Sequence, residues 1–150
     1  MKGRKTDLST ADCGIARALG VIGDWWSLLI VRDALRGLQR FGEFQGNLGL
    51  ARNILSARLK KLVEQGILEI VPDRKGSGYN AYVPTERGRS LGVVLVSLWQ
   101  WGEENCFEPG ELGRIVVDRH GEEPLAKLAL ATKSGRMLGP ADYKTVPRPS

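Results

Sequence analysis

A mainly α-helical fold with one small β-hairpin is predicted by three features of the sequence. Apolar residues recur at helical spacing through four successive segments up to residue 65. Two short runs rich in branched and aromatic residues follow, at 67–71 and 81–83, parted by a stretch containing Pro72, Gly76 and Gly78. One further long apolar-periodic segment closes the pattern before Cys106. Helix, helix, short helix, turn, basic helix, hairpin, long helix is the order of a winged helix-turn-helix.

Each element has a local cause. Ile15, Ala18, Leu19 and Ile22 fall at helical spacing within residues 11–22, and Gly20 and Gly23 weaken the end of that segment. Asp24 can accept from unpaired backbone N–H groups as an N-cap. It opens a helix through Trp25, Trp26, Leu28, Leu29, Val31, Arg32 and Leu35 that Gly37 stops. Of the adjacent tryptophans, one is expected in the core and the other facing a partner subunit or a cavity. Arg40 and Phe41 open a shorter element with Phe44 and Leu48 on one side, which Gly49 breaks.

From 51 to 65, Leu55, Leu59, Leu62 and Val63 line one face and Gly66 supplies a left-handed stop. The hairpin's tip is long and basic, so residues 72–80 form the expected wing. Thr85, followed by Glu86, starts a last helix through Leu91, Val94, Leu95, Leu98, Trp99 and Trp101, ending near Cys106 before Pro109 and Gly110.

This places a flexible basic N-terminus at 1–10, a winged helix-turn-helix domain at 11–107, and an appendage at 108–150. Within the appendage, 114–118 and 125–131 read as two strands about a turn at 119–121, and 140–150 as a mobile tail.

With 150 residues, 42% of them hydrophobic, the chain can bury one core. A net charge of +5 favours anionic partners, nucleic acid first. Cys13 and Cys106 stand without a neighbouring Cys or His, which speaks against zinc and against a disulfide framework. No apolar run of signal-peptide length follows the basic start, and the most apolar stretches fall well short of the roughly 18 residues of a membrane span. A cytoplasmic protein without a membrane partner, cofactor or metal is expected. His120 lies in a turn beside Gly121 without an adjacent nucleophile, and Glu103-Glu104 and Glu122-Glu123 read as solvated charge, so catalysis is not expected.

The basic helix carries the chemistry. The major groove of B-DNA is about 12 Å wide and admits one α-helix, so a reader needs an anchored inner face and an outer face of donors. Asn53, Ser56, Ala57 and Lys60 fall at i, i+3, i+4 and i+7, opposite the leucine anchor. Asn53 and Ser56 can bond base edges, Ala57 can pack near a thymine methyl, and Lys60 can reach guanine or phosphate. Arg52, Arg58 and Lys61 add positive charge suited to the phosphate backbone. Arg74 and Lys75, on the hairpin tip, can lie along the minor groove or its phosphates.

Cys13, the stretch 21–30 (VIGDWWSLLI), Arg40-Phe41-Gly42-Glu43-Phe44, 54–59 (ILSARL), Thr85-Glu86-Arg87-Gly88 and Trp101-Gly102 together resemble the HxlR-type transcriptional regulators, relatives of the MarR group. That resemblance covers residues 13 to about 105. It implies a homodimer on a pseudo-palindromic operator of double-stranded DNA, with the first and last helices as the dimer interface. Ile15, Leu19, Leu91, Leu95, Leu98 and Trp99 are the candidates for it. It also makes Cys13 a candidate thiol sensor, with Arg17 four residues on to favour the thiolate. A small-molecule effector is a further possible partner: Trp99 and Trp101 can wall a pocket, although packing in the core or dimer is the commoner use of tryptophan. The rival reading is a protein-interaction or ligand-binding module that kept the fold without binding DNA.

Overall fold

The computed structural model describes residues 6–73, 76 and 78–150. Its elements are α1 (Gly14–Ile22), α2 (Trp25–Leu35), α3 (Phe41–Leu48), α4 (Arg52–Glu64), β1 (Leu68–Pro72), β2 (Asn80–Pro84), α5 (Glu86–Arg89), α6 (Gly92–Asn105), β3 (Leu130–Ala131) and β4 (Met137–Leu138). The chain divides into two compact units between Leu95 and Val96, within α6, whereas composition draws the boundary at 107/108. No single helix among the described residues is long and apolar enough to span a membrane.

In the first unit, Asp24 caps α2 as its sequence position implies, its carboxylate accepting from the Ser27 N–H at 2.9 Å. Ile30, Val31, Phe44, Leu50, Leu55, Leu59, Leu62, Ile67 and Leu68 form one buried cluster drawn from α2 to β1. Trp26 packs against that cluster, whereas Trp25 stands exposed. Gly49, at φ 66°, ends α3 and donates its N–H to Gln45 O, a left-handed residue that turns the chain into α4. β1 and β2 pair antiparallel, with Leu68 opposite Pro84 and Pro72 opposite Asn80. The loop between α2 and α3 is tied to this hairpin, because Tyr82 N donates to Gln39 O at 2.7 Å.

Thr85 explains the sequence Thr-Glu-Arg-Gly. Its hydroxyl donates to Gly66 O and accepts from Gly88 N, and its own N–H donates to Ile67 O. Gly88 then lies so close to the turn after α4 that an added Cβ would come within 2.1 Å of Ile67 O. The single long last helix expected from Thr85 onward is therefore corrected to two, α5 and α6. Ser90 Oγ takes the Arg87 carbonyl at 2.6 Å, and Leu91 N turns instead to Gly88 O, a shorter-range bond that breaks the regular ladder.

The second unit, from Val96, is held by side chains of α6. Gln100 clamps a passing segment, donating to Ala126 O at 3.0 Å and accepting from Leu128 N at 2.8 Å, and Lys127 Nζ lies 2.7 Å from Glu104 Oε1. The expected pairing of 114–118 with 125–131 is corrected here: it contracts to a single bridge between Val117 and Pro124. Asp118 gathers the N–H groups of His120, Gly121 and Glu123, curling the chain too tightly for a ladder to propagate. Leu130–Ala131 pairs instead with Met137–Leu138.

Candidate nucleic-acid interface

α4 presents three faces. Leu55, Leu59 and Leu62 are buried in the core and fix the helix in place. Opposite them Asn53, Ser56, Ala57 and Lys60 are all exposed, so the structure brings together the four residues that the spacing selects. Lys60 is 79% exposed and stands 3.9 Å from Glu64, a loose i,i+4 pair that water screens almost fully. Gly49 sets the entry angle of this helix, and Ala51 precedes it without a side-chain cap, leaving first-turn N–H groups unclaimed by any capping side chain. An anchored helix with an open polar face and a free, positive N-terminal end is suited to DNA bases and phosphates.

The flanking cations divide. Arg52 is exposed and its guanidinium lies 5.1 Å over the Phe41 ring, which holds it beside the start of α4. Arg58 and Lys61 turn to the scaffold, where Arg58 Nε stands 3.4 Å and Lys61 Nζ 3.6 Å from the carboxylate of Asp24. Burial opposes the charge of Asp24. The Ser27 hydroxyl and N–H, with Arg58 and Lys61 beside them, more than offset it and hold the carboxyl below its ordinary value of 3.8. Asp24 therefore caps one helix and ties another to it. Sequence reasoning missed this role, since the partners are remote in the chain and no local spacing relates them.

Asp73, at the end of β1, forms an ion pair with Arg40 at the start of α3, bracing the base of the wing against the helix-turn-helix. This too escaped the sequence. Arg74 and Lys75 of the wing tip lie outside the described residues, as do residues 1–5 of the basic N-terminus.

The candidate dimer residues fall in two groups. Ile15, 73% exposed, and Leu19 on α1 are open, as is Leu98 on α6. Leu91 and Leu95 are half-buried against the core of their own unit, and Trp99 is half-buried as well. Trp25 and Trp101 add further exposed apolar surface. Cys13 is exposed at the N-cap of α1, and the Arg17 side chain bonds Ala11 O at 2.6 Å.

A buttressed helix-turn-helix followed by a two-stranded wing defines the class, a winged helix-turn-helix. Residues 21–109 match the model of the HxlR-like helix-turn-helix family, and the chain belongs to that family of transcriptional regulators. It is 44% identical over 106 residues to the uncharacterised HTH-type transcriptional regulator Rv3095 of Mycobacterium tuberculosis, a match covering 71% of this chain and 66% of that one. The chain thus matches slightly under two thirds of that relative's length. The crystal structure of PA1607, a candidate transcription factor, shares 46% identity at a TM-score of 0.87, covering 94% of this chain and 99% of that one. The redox regulator HypR in its oxidized form is 28% identical at a TM-score of 0.55, covering 62% and 97% of the two chains.

Proposed function

We propose that this regulator binds double-stranded DNA sequence-specifically, as a cytoplasmic homodimer on a pseudo-palindromic operator. α4 enters the major groove, Asn53, Ser56, Ala57 and Lys60 meet base edges, and Arg52 with the wing residues Arg74 and Lys75 meets the backbone. The observation that carries this reading is the exposure of those four α4 residues opposite three buried leucines. A two-fold dimer presents two such helices, which is why the operator should be palindromic. The exposed apolar side chains of α1 and α6 support dimerisation through those helices.

Pull-down of sheared genomic DNA by the purified protein at near-physiological salt, followed by sequencing, tests the reading. Recovery of a short palindromic motif is expected. Absence of any enriched motif would favour a protein-interaction or ligand-binding module on the same fold.

Cys13 supports a second, compatible function, thiol sensing. Its side chain is exposed, and one structural relative is a redox regulator. Cys13→Ser should leave operator affinity intact and remove any response of DNA binding to hydrogen peroxide; a response that persists in the variant rules Cys13 out.

A further inference from the structure

Arg58 and Lys61 of α4, with Gln65 at its C-cap, form a third stripe at i, i+3 and i+7. This stripe walls an open cleft of about 810 Å³, whose other walls are the segment before α1, α1 itself and the N-cap of α2. Its size falls in the range of small-molecule sites, about 300–1,000 Å³. Any occupant would touch the helix that carries the candidate DNA face.

The walls are chemically uneven. Leu8, Leu19 and Val21 supply apolar surface, while Arg17, Arg58 and Lys61 supply cations against the carboxylates of Asp7 and Asp24. Asp7 is engaged by the Ser9 N–H at 2.9 Å. Asp24 is thus the acid that both α4 cations share, at 3.4 and 3.6 Å, which are ion-pair separations longer than a good charged hydrogen bond. Arg58 Nε is shielded from solvent, and its contact with Asp24 falls short of hydrogen-bond geometry. Two cations on one carboxylate leave a positive excess that a second carboxylate would balance.

We propose that this cleft binds a small organic monocarboxylate, its carboxylate seated between Arg58 and Lys61 and its apolar body against Leu8 and Val21. A simple inorganic anion would leave the apolar wall uncovered. A dicarboxylate would bring a second negative charge towards Asp7 and Asp24. The ligand competes with Asp24 for Arg58 and Lys61, so occupancy loosens the tie between the cap of α2 and α4. Ligand binding stands on the cleft alone; its effect on DNA rests on the DNA-binding reading above.

Isothermal titration of the full-length protein with benzoate, and with uncharged benzamide as its isostere, tests the site. Saturable benzoate binding is expected, with benzamide weaker by at least about tenfold, since only the carboxylate can pair with the cations. Arg58→Gln should weaken benzoate by about tenfold or more. Gln65→Glu sits at an exposed helix end where folding is not at stake, and should weaken it about threefold by adding negative charge to the wall. No saturable benzoate binding, equal affinity for benzamide, or benzoate affinity unchanged in both variants each overturns the site.

By linkage, saturating benzoate should also shift operator affinity by about fivefold or more. Benzoate that binds without such a shift overturns the coupling. Failure of the ligand-free protein to bind any operator would instead count against the DNA reading, and the titration would still judge the cleft.

Discussion

Lys60 and Lys61 are neighbours on one helix with the same chemistry, yet they have different surroundings. Lys60 is 79% exposed with only a loose partner, while Lys61 is 26% exposed and turned to the carboxylate that caps α2. Arg52 and Arg58 repeat the contrast, one held over an aromatic ring at the open end of α4 and the other drawn in to Asp24. A count of cations treats all four alike, and the fold does not. The outward charges are available to a polyanion, and the inward ones hold α4 to its scaffold.

That comparison can be broken from three sides. The largest effect belongs to the anchor: Leu59→Ala should destabilise the fold by about 2–5 kcal/mol, read by urea unfolding, because it leaves a cavity in a close-packed core. A loss near zero would mean that α4 is not seated as described.

The scaffold face should answer next. Asp24→Ala removes a helix cap worth about 0.5–2 kcal/mol and strands Arg58 and Lys61. Its pH dependence is specific. The folded-state carboxyl lies below its ordinary value, so its contribution is fully present above the unfolded value of 3.8 and lost as pH falls through the lower folded value. The wild-type stability curve should therefore fall more steeply than that of Asp24→Ala over this acid range. Parallel curves would contradict the pairing.

The smallest effect is electrostatic. Arg52→Ala should lower affinity for all DNA sequences alike and reduce the salt slope by about 1, with little change in folding stability. A loss confined to one sequence would instead make Arg52 a base reader.

Much of the fold was legible because its causes are local. Asp24, Gly37, Gly49 and Gly66 punctuate helices by capping and left-handed geometry, and the leucines of α4 repeat at the helical period. The outward face followed from the same period. The rest depended on competition between distant or unpredictable partners. Ser90 could continue a helix or take the Arg87 carbonyl, and its hydroxyl did the latter. The appendage departs from the expected strand pairing because Gln100 claims backbone at residues 126 and 128, and Asp118 curls the segment between the two runs. At the site, the roles of Asp24 and of the Arg40–Asp73 brace appear only once remote segments meet.

The central claim is that the outward face of α4 reads DNA sequence. The most direct test compares the wild type with the Asn53→Ala/Lys60→Ala double variant on the recovered operator and on a shuffled duplex, at one fixed salt concentration. Each lost base contact should cost about 1–3 kcal/mol on the operator, with a much smaller loss on the shuffled duplex and unchanged unfolding. Operator affinity equal to that of the wild type, or equal losses on both duplexes, would contradict it.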